Sequence, residues 1–157
     1  MDNNLQVPYE WSAPMAQDFR NAKKTILLSA LSLHWARLPT ENQHGQWCAA
    51  LADAARRGVD VVIVLPQPSK AHPATAQNAT HAAQAFAHGI KARWVQSGRL
   101  LHCKSCVIDS EVLWIGSGNF TGAAMSHNHE AYVRAENITF ATRHAQHLLQ
   151  ISEAGVR

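Results

Sequence analysis

Four polar residues at close spacing carry the chemistry open to this chain: His102, Lys104, Ser117 and Asn119. The stretch His102-Cys103-Lys104-Ser105-Cys106-Val107-Ile108-Asp109 reads as a strand. Alternation then puts His102, Lys104 and Cys106 on one face and Cys103, Ser105 and Val107 on the other. An imidazole beside an ammonium suits attack on a phosphodiester, which needs a nucleophile next to a charge that neutralises phosphate oxygens. The next strand runs into Gly116-Ser117-Gly118-Asn119. Glycines there let the backbone approach an anion, and the hydroxyl and carboxamide offer neutral donors. If the two strands form a hairpin, the turn after Ile115 returns to Leu101 and His102, gathering all four groups.

The elements that must position them alternate between helical and strand signals. Residues 13–24 predict a helix capped by Ser12, with Pro14 in its first turn and Met15, Phe19 and Ala22 on one face. Thr25 to Leu31 predicts a buried strand. Thr40-Glu41-Asn42-Gln43 matches a capping box for a helix burying Trp47, Leu51 and Ala54 or Ala55, closed by Gly58 in a left-handed cap. Val59 to Leu65 predicts a second buried strand, stopped by Pro66 and Pro68. An alanine-rich helix over 75–88 ends at Gly89, and Ile90 to Val95 begins another strand. Leu100 to Ile108 and Glu111 to Ile115 flank Asp109-Ser110 as a hairpin, and His129 to Arg134 makes a further strand. Asn137 caps a last helix carrying Ile138, Ala141, Ala145, Leu148 and Leu149. Early crossovers followed by a hairpin predict an α/β fold, a mixed sheet covered by helices on both faces. The 157 residues fit one domain over 1–157.

His102-x-Lys104, four further residues, Asp109, six further residues, then Gly116-Ser117-x-Asn119 resembles the HKD signature of the phospholipase D superfamily. Phe120-Thr121 and Asn128-x-Glu130 are similar to that family too, and Arg57-Gly58-Val59-Asp60-Val61 is a weaker echo of it. The resemblance runs over roughly residues 12–150, with its specificity concentrated in 102–130. Most members carry two such motifs in one chain. This chain carries one, as do small bacterial endonucleases of the superfamily that work as homodimers.

The resemblance implies a metal-independent phosphodiesterase with no cofactor, its active site completed by a second copy. Neutral His102 of one subunit would attack phosphorus, and protonated His102 of the other would protonate the departing oxygen. The second imidazole would then activate water against the phosphohistidine. Lys104 and Asn119 would stabilise charge on the nonbridging oxygens, assisted by Ser117. Glu130 would hold the imidazolium and its tautomer. Asp109, at the far end of the His-Lys strand, would fix the hairpin by hydrogen bonding. Nucleic acid is the first expected substrate. A lipid phosphodiester, hydrolysed or transferred, is the second, and a non-catalytic nucleic-acid-binding module the third.

Composition constrains these readings only broadly. Apolar residues make up 46% of the chain, which excludes a disordered polypeptide. The net charge of +3 with ten neutral histidines favours a polyanionic partner weakly. Residues 25–35 are too short and too interrupted to span a bilayer, so stable membrane insertion is not expected. The start lacks the basic and apolar regions of an export signal, which makes a cytoplasmic location the expectation. Three cysteines do not complete a disulfide framework. Cys103 and Cys106 have the spacing of a redox or zinc pair, but on a strand their sulfurs face opposite ways, so core packing is the better reading. His127 and His129 with Glu130 would split between two strand faces, which disfavours a metal site. The five tryptophans (11, 35, 47, 94 and 114) sit mostly at core-like positions.

Overall fold

The computed structural model describes residues 5–6, 10–96 and 98–154. Strand β1 (Leu5–Gln6) precedes helix α1 (Ser12–Asn21), β2 (Thr25–Ser29), α2 (Gln43–Arg56) and β3 (Asp60–Pro66). A 3-10 turn (Pro73–Thr75) leads into α3 (Asn78–Phe86), β4 (Lys91–Val95) and the hairpin of β5 (Lys104–Ile108) and β6 (Val112–Gly116). Short α4 (Gly122–Ser126), β7 (Tyr132–Glu136), α5 (Ile138–Gln150) and β8 (Ser152–Ala154) follow. The strands form one mixed sheet in the order β1-β7-β6-β5-β2-β3-β4-β8. β2, β3 and β4 are parallel; every other pairing is antiparallel.

Both faces of the sheet are apolar, and helices cover both, as the pattern of crossovers predicts. One layer joins α1, α2 and α3 to the sheet through Phe19, Trp47, Leu51, Ala82, Ile26 and Trp114. The opposite layer is smaller and lies under α5, with Ala141 and Leu148 against Leu27, Val64 and Val107. Trp47, Leu51 and Ala54 are fully buried on α2, and Gly58 (φ +91°) and Gly89 (φ +83°) take left-handed conformations just after α2 and α3. On α5, Ile138 and Leu149 stay exposed because the covering face is narrower than the apolar pattern.

Several boundaries depart from the sequence reading. Ser12 lies inside α1 and caps nothing; its hydroxyl accepts from Gln43 Nε2 instead. The cap of α2 is Asn42, whose side chain accepts from Gly45 N at 2.7 Å, so the box at Thr40 is not used. Strand β2 stops at Ser29, because the following backbone leaves the sheet to bond Asn78: Leu33 N donates to Oδ1 at 3.1 Å and Nδ2 donates to Leu31 O at 3.0 Å. Strand β5 starts at Lys104 rather than Leu100, since its partner β6 ends at Gly116, opposite Lys104. Strand β7 begins at Tyr132, so His127, His129 and Glu130 belong to the connection before it and strand alternation does not govern them.

Asp18 locks the antiparallel half to α1. Its carboxylate takes Trp114 Nε1 at 2.7 Å and Arg134 at 2.8 and 3.1 Å, bridging β6 and β7 in a half-buried cluster. Shared donors of this kind satisfy charges that would otherwise be costly to bury. No helix among the described residues is long and apolar enough to cross a membrane.

Candidate active site

The carboxyl ends of parallel strands β2 and β3 and the open end of the β5–β6 hairpin share one edge of the sheet, where open α/β folds bind ligands. Register places the polar groups there. Lys104 pairs with Gly116, and Gly116 with Tyr132, so Ser117 lies next to Ala131 and across from the segment carrying His102. Gly116 is required by this close approach: a Cβ would fall 2.4 Å from Ala131 O and from the Tyr132 ring.

His102 sits just outside the sheet, and its side chain is exposed. Lys104 Nζ stands 3.1 Å from His102 Nδ1 and 3.4 Å from Nε2. Lys104 in its ammonium form can only donate here, and which ring nitrogen it meets depends on the imidazole tautomer. Lys104 itself is buried to 6% exposure. Burial pulls its ammonium below the ordinary lysine range, while the Cys103 and Glu130 charges pull the other way.

The turn after β6 is pinned from two sides. Ser117 Oγ donates to Glu130 Oε2 and accepts from Ala131 N at 3.1 Å, and Ser117 N donates to Ala131 O at 3.0 Å. Asn128 Nδ2 donates to the other Glu130 oxygen at 3.0 Å. Within one chain Glu130 therefore bonds Ser117 and Asn128, not His102. Asn119 Oδ1 accepts from Ser32 N at 3.2 Å, which turns the amide so that Nδ2 is its donor end. Tyr132 closes the turn from below by donating to Gly118 O. Thr121 then caps α4, accepting from Ala124 N at 3.2 Å. Beside Glu130 opens a polar cleft of about 370 Å³ whose walls include Glu10, Gln43 and Asn128.

Asp109 is not at this edge. At the closed end of the hairpin it accepts from Lys23 N (2.8 Å), Lys24 N (2.7 Å) and Thr25 N (2.9 Å). Burial opposes its ionisation, but the three backbone donors outweigh it and hold the carboxyl below the usual carboxylate range. Asp109 and Ser110 both have positive φ (53° and 59°), as a two-residue hairpin turn demands.

Behind β5, on the α5 side, Ser105 Oγ lies 2.7 Å from Ser29 Oγ and from His144 Nε2, and Ser29 Oγ is 3.3 Å from Cys103 Sγ. Cys106 is buried on the opposite face, where burial raises its thiol well above the ordinary range. The two sulfurs thus face different layers. Among the described residues, no group of three or more His, Cys, Asp or Glu side chains is arranged to hold a metal ion.

Sequence reasoning missed the residues that seat the Ser117–Asn119 turn from behind. Ser32, Asn78 and His81 act through contacts 45 to 87 residues apart in sequence. Nothing in the local pattern marks them.

Comparison with known proteins fits this geometry. A family model described as cardiolipin synthase, PLD-like domain, matches residues 15–152. Cardiolipin synthase A of Pseudomonas fluorescens is 33% identical over 109 residues, covering 69% of this chain but 22% of that protein. The chain therefore spans about a fifth of the length of that curated relative. Among solved structures, Nuc of Salmonella typhimurium, a phospholipase D family member, superposes with a TM-score of 0.75 at 24% identity over 98% of both chains. NucT of Helicobacter pylori gives 0.66 at 14% identity over 96% of this chain and 94% of its own. Phosphatidylserine synthase of Haemophilus influenzae gives 0.67 at 14% identity, covering 90% of this chain and 36% of that one.

Proposed function

The chain belongs to the phospholipase D-like family, and from that premise we propose that it is a metal-independent phosphodiesterase cleaving DNA or RNA through a covalent phosphohistidine in a site shared by two copies. The observation that carries this reading is the contact of His102 with buried Lys104 at the rim that also holds Ser117 and Asn119. The contact sets an exposed imidazole beside a phosphate-attracting charge; Lys104 must turn its donor to the phosphate before the one lone pair of a neutral imidazole can attack. The nuclease reading is supported by the superposition on Nuc of Salmonella typhimurium, which covers 98% of both chains.

In the first step a neutral His102 nitrogen forms a bond to phosphorus while the bond to the leaving oxygen breaks. The second copy's His102, protonated, gives its proton to that oxygen. In the second step the same imidazole, now neutral, takes a proton from water. The resulting hydroxide displaces the first histidine, returning both to their starting states. Lys104 and the Asn119 amide donate to the nonbridging oxygens, where negative charge gathers as the bonds exchange. Ser117 assists, oriented by its bond to Glu130. The charge of Glu130 also favours the cationic form of Lys104 despite burial. Asp109 serves by fixing the hairpin. A cytoplasmic location belongs to the same proposal.

The second reading is transfer or hydrolysis at a lipid phosphodiester, favoured by the match to the cardiolipin synthase model. One panel separates the two: plasmid, single-stranded DNA, RNA, an aryl phosphodiester and phospholipid vesicles, each with a chelator present. Cleavage of nucleic acid that survives the chelator is the expected result, since histidine and not a bound ion supplies the nucleophile. Turnover of the vesicles alone would move the assignment to the lipid reading. Loss of all activity with chelator, restored by a divalent cation, would refute both.

A further inference from the structure

The loop after β2 spends four consecutive backbone N–H groups on ties that alternate between the catalytic turn and α3. Ser32 N donates to Asn119 Oδ1 (3.2 Å) and His34 N to Phe120 O (2.9 Å). Leu33 N donates to Asn78 Oδ1 (3.1 Å) and Trp35 N to His81 Nδ1 (3.1 Å). The loop is a strut: α3 holds one side of it, and it holds Asn119 and Phe120 on the other.

His81 is the one tie in this strut that can titrate. Its Nδ1 is 3.1 Å from Trp35 N and 2.9 Å from Gln84 Oε1, and its Nε2 is 3.2 Å from Gln77 Oε1. The two Nδ1 contacts belong to different protonation states. An unprotonated Nδ1 accepts from Trp35 N, whereas a protonated one donates to Gln84. Adding a proton therefore removes the acceptor of the Trp35 amide and gives the imidazolium two carboxamide acceptors on its own helix. The Trp35 backbone amide belongs to a buried residue, 6% exposed, so its lost partner is felt.

Among the described residues, His34 and His44 are titratable groups that act on His81 electrostatically. The ring of His34, from the loop, lies 4.8 Å away and tilted by 30°. His44, from α2, bonds His34 O through Nε2 at 2.8 Å. In the turn just after α3, His88 packs on Trp35 with ring centroids 5.5 Å apart. Burial, followed by repulsion from His81 and His44, keeps His34 below the ordinary histidine range; burial does the same for His44. A proton on any one ring is repelled by a proton on the next, so acid loosens the group against itself.

We propose that His81 is a proton-controlled positioning residue: neutral, it fixes the strut that orients Asn119, and protonated, it releases that strut and lowers turnover. This rests on the reading that Asn119 contacts the substrate phosphate, and it adds control of that contact by a residue that never touches substrate.

The test compares wild type with His81→Gln, whose amide oxygen can accept from Trp35 N but cannot be switched by a proton. With an aryl phosphodiester, the paired His102 imidazoles give both proteins the same bell-shaped background. At neutral pH the variant should turn over within about twofold of wild type, while near pH 5.5 it should be roughly threefold or more as active as wild type. Superimposable pH profiles from folded protein would overturn the proposal. A second readout needs no activity: nitrogen–proton spectra of the free protein. The Trp35 backbone amide and the Asn119 side-chain amide should titrate together in wild type and stay still in His81→Gln. Titration that is absent from wild type, or persists unchanged in the variant, overturns the coupling. Coupled amides in a protein that cleaves no phosphodiester would instead sink the functional reading and leave the strut standing.

Discussion

The β5–β6 hairpin is held at its two ends by opposite uses of polar groups. At the closed end, Asp109 gives its carboxylate to three backbone N–H groups at the start of β2, and all its hydrogen-bonding power goes into structure. At the open end, Ser117, Asn119 and Lys104 are each oriented by a neighbour, and Lys104 meets an exposed imidazole. The first arrangement ties off charge; the second holds an ammonium and a carboxamide beside an exposed imidazole. The three letters of an HKD pattern thus divide between a clamp and a working edge, although one hairpin carries all of them.

Substitutions should separate the two ends sharply. His102→Ala removes the proposed nucleophile and should lower turnover by about ten-thousand-fold or more, with little change in thermal stability because the side chain is exposed. Lys104→Met should lose about a hundred- to thousand-fold, through weaker charge stabilisation at the nonbridging oxygens. Steady-state rates and melting curves on the same preparations check both. A Lys104→Met protein that turned over normally would remove Lys104 from the working edge.

Asp109→Ala should show the reverse. Three backbone donors lose a charged acceptor, which costs about 2–3 kcal/mol and lowers the melting temperature by about 5–10 °C. Activity per folded molecule should change by less than about threefold. Calorimetry beside an active-site titration reads both quantities. A large rate loss with unchanged stability would move Asp109 to the working edge and erase the contrast.

The pH dependence of stability gives the smallest and most graded effect. His34, His44 and His144 are each held below the ordinary histidine range by burial above all, so the unfolded chain binds more protons than the folded one as pH falls through about 6.5. Stability should therefore decline from pH 8 toward 5 by these histidines. Asp109, whose folded value is depressed, contributes stability above about pH 4 and loses it only as pH drops through its folded value. Denaturant titrations across pH should show two separate declines, and Asp109→Ala should remove the acidic one alone.

How much of this was legible in sequence follows the range of the interactions. The helices around Trp47 and Ala82, the closing glycines at 58 and 89 and the turn at Asp109-Ser110 rest on local rules and could be read directly. The hairpin register followed from the turn, and with it the meeting of Lys104 with the Ser117 segment. The strand starts at 104 and 132 could not be read, because a ladder ends where its partner ends and that partner lies elsewhere in the chain. The pairing of Glu130 with Ser117, and the strut from Asn119 through Ser32 and Trp35 to His81, depend on the fold bringing distant residues together. No periodicity encodes them.

In the proposed mechanism one chain supplies half a site, and each turnover requires a second imidazole. The most direct test mixes wild type with His102→Ala, allows subunits to exchange fully, and measures hydrolysis of an ordinary phosphodiester against the wild-type fraction. Two-fold sharing of the site predicts that activity falls as the square of that fraction, since only dimers with both imidazoles can attack and protonate. Activity in direct proportion to the wild-type fraction, from a folded and exchanging mutant, would mean that each chain holds a complete site and would contradict the account.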